Sequence, residues 1–71
     1  MKEQWQIRKA REICRENKIR YQIKTQGNTN RLYLFSRITG HYMQICYDLL
    51  NYKNPLKIRE DIERTALLYM C

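Results

Sequence analysis

Between Ile7 and Cys14, apolar side chains recur at Ile7, Ala10, Ile13 and Cys14, which line up as one stripe of a helix. Arg8, Lys9, Arg11, Glu12 and Arg15 occupy the other faces. The spacing predicts a helix over residues 3–17, with Trp5 near the edge of its stripe. From residue 18 to 25 the period changes to two. Ile19, Tyr21 and Ile23 point one way, and Arg20, Gln22 and Lys24 the other, as in a half-buried strand. A loop is expected at "QGNTN", residues 26–30, because Gly27 and the asparagines tolerate positive φ. Alternation returns at residues 31–37 and again at 41–46, around a hairpin turn at Ile38-Thr39-Gly40. Gly40 falls where such a turn wants a left-handed residue. The stretch "HYMQICYDLLNY" also carries helical apolar spacing at Tyr42, Met43, Cys46, Leu49 and Leu50. The β-branched and aromatic residues before Gly40, and the turn itself, favour a strand.

A second helix opens at "NPLKIRE", with Asn54 as its cap and Pro55 in the first helical position. Ile58, Ile62, Ala66 and Tyr69 recur along one face of it, flanked by Leu68. Glu60, Asp61 and Glu63 lie in its first half, where the helix dipole favours negative charge. The order is α-β-β-β-α. Two amphipathic helices must bury their stripes, and one face of a three-stranded antiparallel meander is the place for both. The expectation is one small α+β domain across residues 1–71. A chain of that length buries only about 60% of its unfolded surface, so its stability is expected to be marginal. No apolar run reaches membrane-spanning length, and "MKEQWQIRKAREI" has charge where a secretion leader needs an apolar core. A cytoplasmic location is therefore expected.

That register sorts the sheet residues. The helix-covered face takes Ile19, Tyr21, Ile23, Leu32, Leu34, Met43 and Ile45, all of them apolar or aromatic. The opposite face takes Arg20, Gln22, Lys24, Arg31, Tyr33, Phe35, Arg37, Tyr42 and Gln44. An outer sheet face is expected to be polar. This one is cationic and aromatic and contains no acid.

Net charge sharpens the contrast. The chain carries 14 Lys and Arg against 7 Asp and Glu, a net +7. Residues 1–40 hold ten of the bases and three of the acids, and no acid occurs between Glu16 and Asp48. A one-sided positive field attracts polyanions, mainly nucleic acid or anionic membrane, and a membrane partner is not expected because the apolar stripe of helix 3–17 is narrow and needed for the core. Lysine and arginine pair with phosphates, arginine and glutamine can read base edges, and aromatic rings can stack on unpaired bases. The candidate contact residues are Arg20, Lys24, Arg31, Tyr33, Phe35, Arg37, Tyr42 and Gln44.

Enzyme chemistry is not indicated. The single histidine, His41, falls beside the turn, on the side expected to be covered. Asp48, Glu60, Asp61 and Glu63 read as a solvated face rather than a paired-carboxylate site. There is no glycine-rich phosphate loop. Cys14, Cys46 and Cys71 are odd in number and contain no C-x-x-C pair, so neither a disulfide framework nor a metal site is indicated. They read as two buried small apolar residues and one loose thiol. No cofactor or small-molecule ligand is indicated either.

The element order resembles that of double-stranded-RNA-binding domains. Where those domains begin their last helix with a lysine-rich run, this chain has "NPLKIREDIER", with Lys57 and Arg59 among acids. The plan is also similar to the three-stranded-sheet DNA-binding domains at the front of some phage-type integrases. That resemblance implies contact through the open sheet face. The composition, rich in Ile, Asn, Lys and Tyr, fits an A+T-rich coding sequence such as that of low-GC bacteria or their phages. The expectation is a non-enzymatic nucleic-acid-binding protein, with DNA favoured over RNA. The alternative is a phage-type small protein that regulates or inhibits another protein, with Tyr33, Phe35 and Tyr42 as a homodimer or partner surface.

Overall fold

The computed structural model of the protein describes residues 4–69. Helix α1 spans Trp5–Glu16. Strands β1 (Tyr21–Gln26), β2 (Thr29–Phe35) and β3 (Tyr42–Cys46) follow, then a 3-10 turn at Leu49–Asn51 and helix α2 at Pro55–Tyr69. The sheet runs β1-β2-β3 with both pairings antiparallel. This is the expected α-β-β-β-α meander, with both helices on one face. No described helix is long and apolar enough to cross a membrane.

The α1 stripe does what its spacing requires. Ala10, Ile13 and Cys14 are fully buried, and Ile7 packs at their edge. Gln6 joins them despite its polarity, because its amide nitrogen donates to the carbonyls of Leu50 (3.4 Å) and Tyr52 (3.2 Å). The helix ends in a Schellman arrangement. The Ile19 N–H reaches the Cys14 carbonyl and the Lys18 N–H that of Arg15, with Lys18 left-handed at φ 55°.

The two hairpins depart from the sequence expectation in opposite directions, the first tighter and the second wider. The expected loop at 26–30 is only Gly27 and Asn28, and Gln26, Thr29 and Asn30 belong to the strands. Gly27, at φ 60°, supplies the positive dihedral a two-residue connection demands, and Thr29 Oγ1 donates to the Gln26 carbonyl at 2.7 Å. Asn30 is a buried polar residue with its bonds made: Thr25 Oγ1 donates to its side-chain oxygen, and its own N–H donates to Asp48. At the second turn Gly40 is left-handed, as expected, at φ 75°. The turn is larger than a three-residue one. The Ser36 N–H donates to the His41 carbonyl and the Gly40 N–H to the Ser36 carbonyl. Arg37 therefore lies in the turn and not on a strand, and His41 is exposed there instead of facing the helices.

Leu32 and Leu34 of β2 form the floor of the core with Leu49, Ile58 and Ile62, while Tyr21, Ile23 and Ile45 pack around it. Met43 stands opposite Leu34 but is only half-buried. The cap of α2 is as expected, with Asn54 Oδ1 accepting from the Leu56 N–H at 2.9 Å. The far end of the α2 stripe differs. Ile58 and Ile62 are buried and Ala66 half-buried, but Tyr69 is exposed, as are Leu67 and Leu68. The end of α2 still meets the end of β2, where the buried Ser36 hydroxyl donates to the Tyr69 carbonyl at 2.9 Å. Of the thiols, Cys14 is buried, Cys46 is half-buried and Cys71 lies outside the described residues.

Candidate functional site

The outer face of the sheet reads as three rows across the strands. Arg20, whose carbonyl accepts from the Phe35 N–H, lies with Phe35 and Tyr42. Gln22, Tyr33 and Gln44 form the middle row. Lys24 and Arg31 begin the third. Successive rows are about 6.6 Å apart, two residues along a strand.

The third row is completed by a residue the sequence reading left out. Between β2 and β3 the ladder slips: Tyr33 faces Gln44, but Leu32 faces Cys46, which leaves Ile45 as an extra residue. Ile45 and Cys46 both pack against the core. The alternation is thereby shifted by one, and Tyr47 comes to the outer face. There the Arg31 guanidinium carbon lies 4.7 Å from its ring centroid. The signal was the apolar doublet Ile45-Cys46, which breaks an otherwise strict alternation.

Cations cover the rings of this face. Arg20 sits 5.4 Å from the Phe35 centroid and Lys24 5.0 Å from that of Tyr33. Tyr42 packs edge-on against Phe35 with centroids 5.3 Å apart. A guanidinium lying on a ring keeps its N–H donors in its own plane, directed away from the ring, and an ammonium keeps donors on its far side. The rings thus hold the cations in place without neutralising their charge. Tyr33 and then Tyr47, beside the Arg31 guanidinium, push its pKa up from the usual arginine value. Its Nε is buried without a hydrogen-bond partner.

Glu16, Asp48, Glu60, Asp61 and Glu63 are engaged elsewhere. Arg59 on α2 bridges Glu16 of α1 (2.9 Å) and Glu63 (3.2 Å). The Arg59 hydrogen bond holds the Glu16 carboxyl below its usual pKa, and Glu16 in turn raises that of Arg59. Lys57 and Arg64 both reach Glu60 and Asp61. Asp48 accepts from the Asn30 and Leu50 N–H groups, both at 3.1 Å. Among the described residues, Arg20, Lys24, Arg31 and Arg37 have no carboxylate partner. The charge excess is therefore shared between residues 19–47, with four bases and no acid, and residues 1–18, with six bases and three acids, while α2 neutralises its own.

Of the candidate residues, Arg20, Lys24, Arg31, Tyr33, Phe35, Tyr42 and Gln44 share this face. Arg37 stands apart at the end of the sheet, where it lines a cleft of about 650 Å³ with Lys18, Ile19, Phe35 and Leu67. Burial pushes the Cys14 thiol up to about 12 and that of Cys46 up to about 11, so neither is a thiolate nucleophile near neutral pH. No group of three or more potential metal ligands occurs among the described residues. Compared with known protein families, with characterised proteins and with solved structures, the chain matches none.

Proposed function

We propose that the protein binds nucleic acid without catalysing a reaction, through the outer face of its sheet. The supporting observation is the set of cations on that face, Arg20, Lys24 and Arg31. Each is laid on an aromatic ring, and none is neutralised by a carboxylate. Phosphate oxygens are the acceptors such donors lack. In the middle row, Gln22 and Gln44 flank Tyr33 and offer amides suited to adenine edges. Shape favours DNA over RNA. Three strands at about 4.8 Å spacing present a face about 10 Å across, comparable with the roughly 12 Å major groove of B-DNA. The deep, narrow major groove of A-form RNA does not admit such a face.

The test compares two double variants of equal charge. Arg20→Glu with Lys24→Glu strips the face, and Arg8→Glu with Arg15→Glu changes two exposed bases of α1. Each pair takes the net charge from +7 to +3, since two sites go from +1 to −1. The sheet pair is expected to weaken duplex binding far more, and to flatten the dependence of log affinity on log salt by about one per lost phosphate contact. Equal losses from the two pairs, or no duplex binding by the parent protein at about 50 mM salt, overturn the proposal.

A second reading rests on α2, whose exposed Leu56, Leu67, Leu68 and Tyr69 suit a protein partner or a second copy of the chain. Binding through that surface would be nearly insensitive to salt.

A further inference from the structure

Lys24 and Arg31 are direct cross-strand partners on β1 and β2. Like charges placed opposite one another weaken a sheet. Among the described residues no carboxylate relieves them. Each instead rests on a separate ring, Lys24 on Tyr33 and Arg31 on Tyr47, and Tyr47 reaches its place only because of the bulge at Ile45. Between the cations lies a polar depression of about 490 Å³, lined by Lys24, Thr25, Gln26, Arg31 and Tyr33. The Arg31 Nε–H is buried and has no acceptor among the described residues.

Two cations held on aromatic supports around a shared polar hollow, with no carboxylate partner among the described residues, have the makings of an oxyanion site. We propose that Lys24 and Arg31, with Tyr33 lining the hollow beside them, form a seat for a single phosphate group. The proposal rests on the nucleic-acid reading above for its natural ligand, a backbone phosphate, but the seat is also open to the free ion. The seat lies at the Gly27 end of the face, so the phosphate it holds would fix the position of the strand relative to the Gln22–Tyr33–Gln44 row. Fixing of this kind is what phosphate contacts contribute to recognition.

Inorganic phosphate is the first probe, titrated against chloride at constant ionic strength. Saturable amide shifts centred on residues 24–26 and 31–33 are expected, together with a melting temperature that rises with phosphate. Lys24→Gln is expected to abolish both. Arg8→Gln, which removes an exposed base from α1, is expected to keep both. Shifts that grow linearly without saturating, or that are the same in the parent and Lys24→Gln, overturn the seat.

The second arm uses duplex DNA, where Lys24→Gln is expected to lower the salt slope by about one. Saturable phosphate binding without duplex binding would leave the seat standing and remove the nucleic-acid reading. Duplex binding with an unchanged slope in Lys24→Gln, and no saturable phosphate shift, would do the reverse.

Discussion

Tyr52 donates its phenolic hydrogen to the carboxylate of Asp61, tying the exit of the 3-10 turn to the second turn of α2. The same residue's carbonyl accepts from Gln6 at the start of α1, so three separated segments meet at one side chain and its backbone. Burial first, and the Asp61 carboxylate second, hold the Tyr52 hydroxyl above its ordinary pKa. Replacing Tyr52 with Phe leaves Asp61 its contacts with Lys57 and Arg64. The expected loss is therefore at the modest end for a hydrogen bond to a charged group, about 1.5 kcal/mol. Urea unfolding of the parent and Tyr52→Phe measures it. An unchanged midpoint would show the bond to be without net value.

Alkaline conditions are expected to unfold this protein through its thiols. Cys14 and Cys46 have pKa values raised from 9.0 to about 12 and about 11, by burial. Above about pH 9 the unfolded chain starts to lose these protons while the folded one keeps them. The folded state then binds more protons, and stability falls as pH rises, by at most about 1.4 kcal/mol per pH unit for each group. Below pH 9 the contribution is fully present. It is lost completely only once the folded pKa has been passed. Cys46→Ala is expected to show a shallower fall than the parent between pH 9 and 11 in urea titrations at fixed salt. Parallel curves would contradict this.

Lys18 occupies the left-handed position that closes the Schellman end of α1, where a side chain is strained and glycine is not. Lys18→Gly is expected to raise stability by about 0.5 kcal/mol, the relief of strain being partly offset by the freer unfolded chain. Lys18→Val places a β-branched side chain at the same dihedral and is expected to lower stability by more than that. Thermal melts should rank the three as Gly, Lys, Val from highest to lowest.

Features set by neighbours in sequence were legible. The α1 stripe at Ala10, Ile13 and Cys14, the left-handed turn at Gly40 and the Asn54-Pro55 helix start all follow from local spacing and backbone preference, and all are present. Features set by distant contacts were not. Asn30 resembles a loop residue until Thr25 and Asp48 supply partners that keep it in a strand. Tyr69 continues the apolar period of α2, but periodicity does not reveal that its ring stays exposed while its carbonyl accepts from Ser36. The outer face was readable for as long as strict alternation lasted. Past Ile45, where the bulge adds a residue, Tyr47 took a place that counting by twos does not assign. That the cations lie over the rings rather than beside them is a matter of side-chain conformation, which spacing alone does not determine.

The contact between α1 and α2 has a consequence for how the protein is made. The meander's strands are neighbours in sequence and can pair as they emerge from the ribosome. The apolar floor of Leu32 and Leu34, however, is roofed by Ile13 from one end of the chain and by Ile58 and Ile62 from the other. Until α2 has been synthesised, that floor and the α1 stripe stay open to water. An mRNA broken before Ile58 would yield a product that displays its interior, which is the kind of surface cellular proteases clear. The order of synthesis therefore leaves the closing of the core to the last helix of the fold.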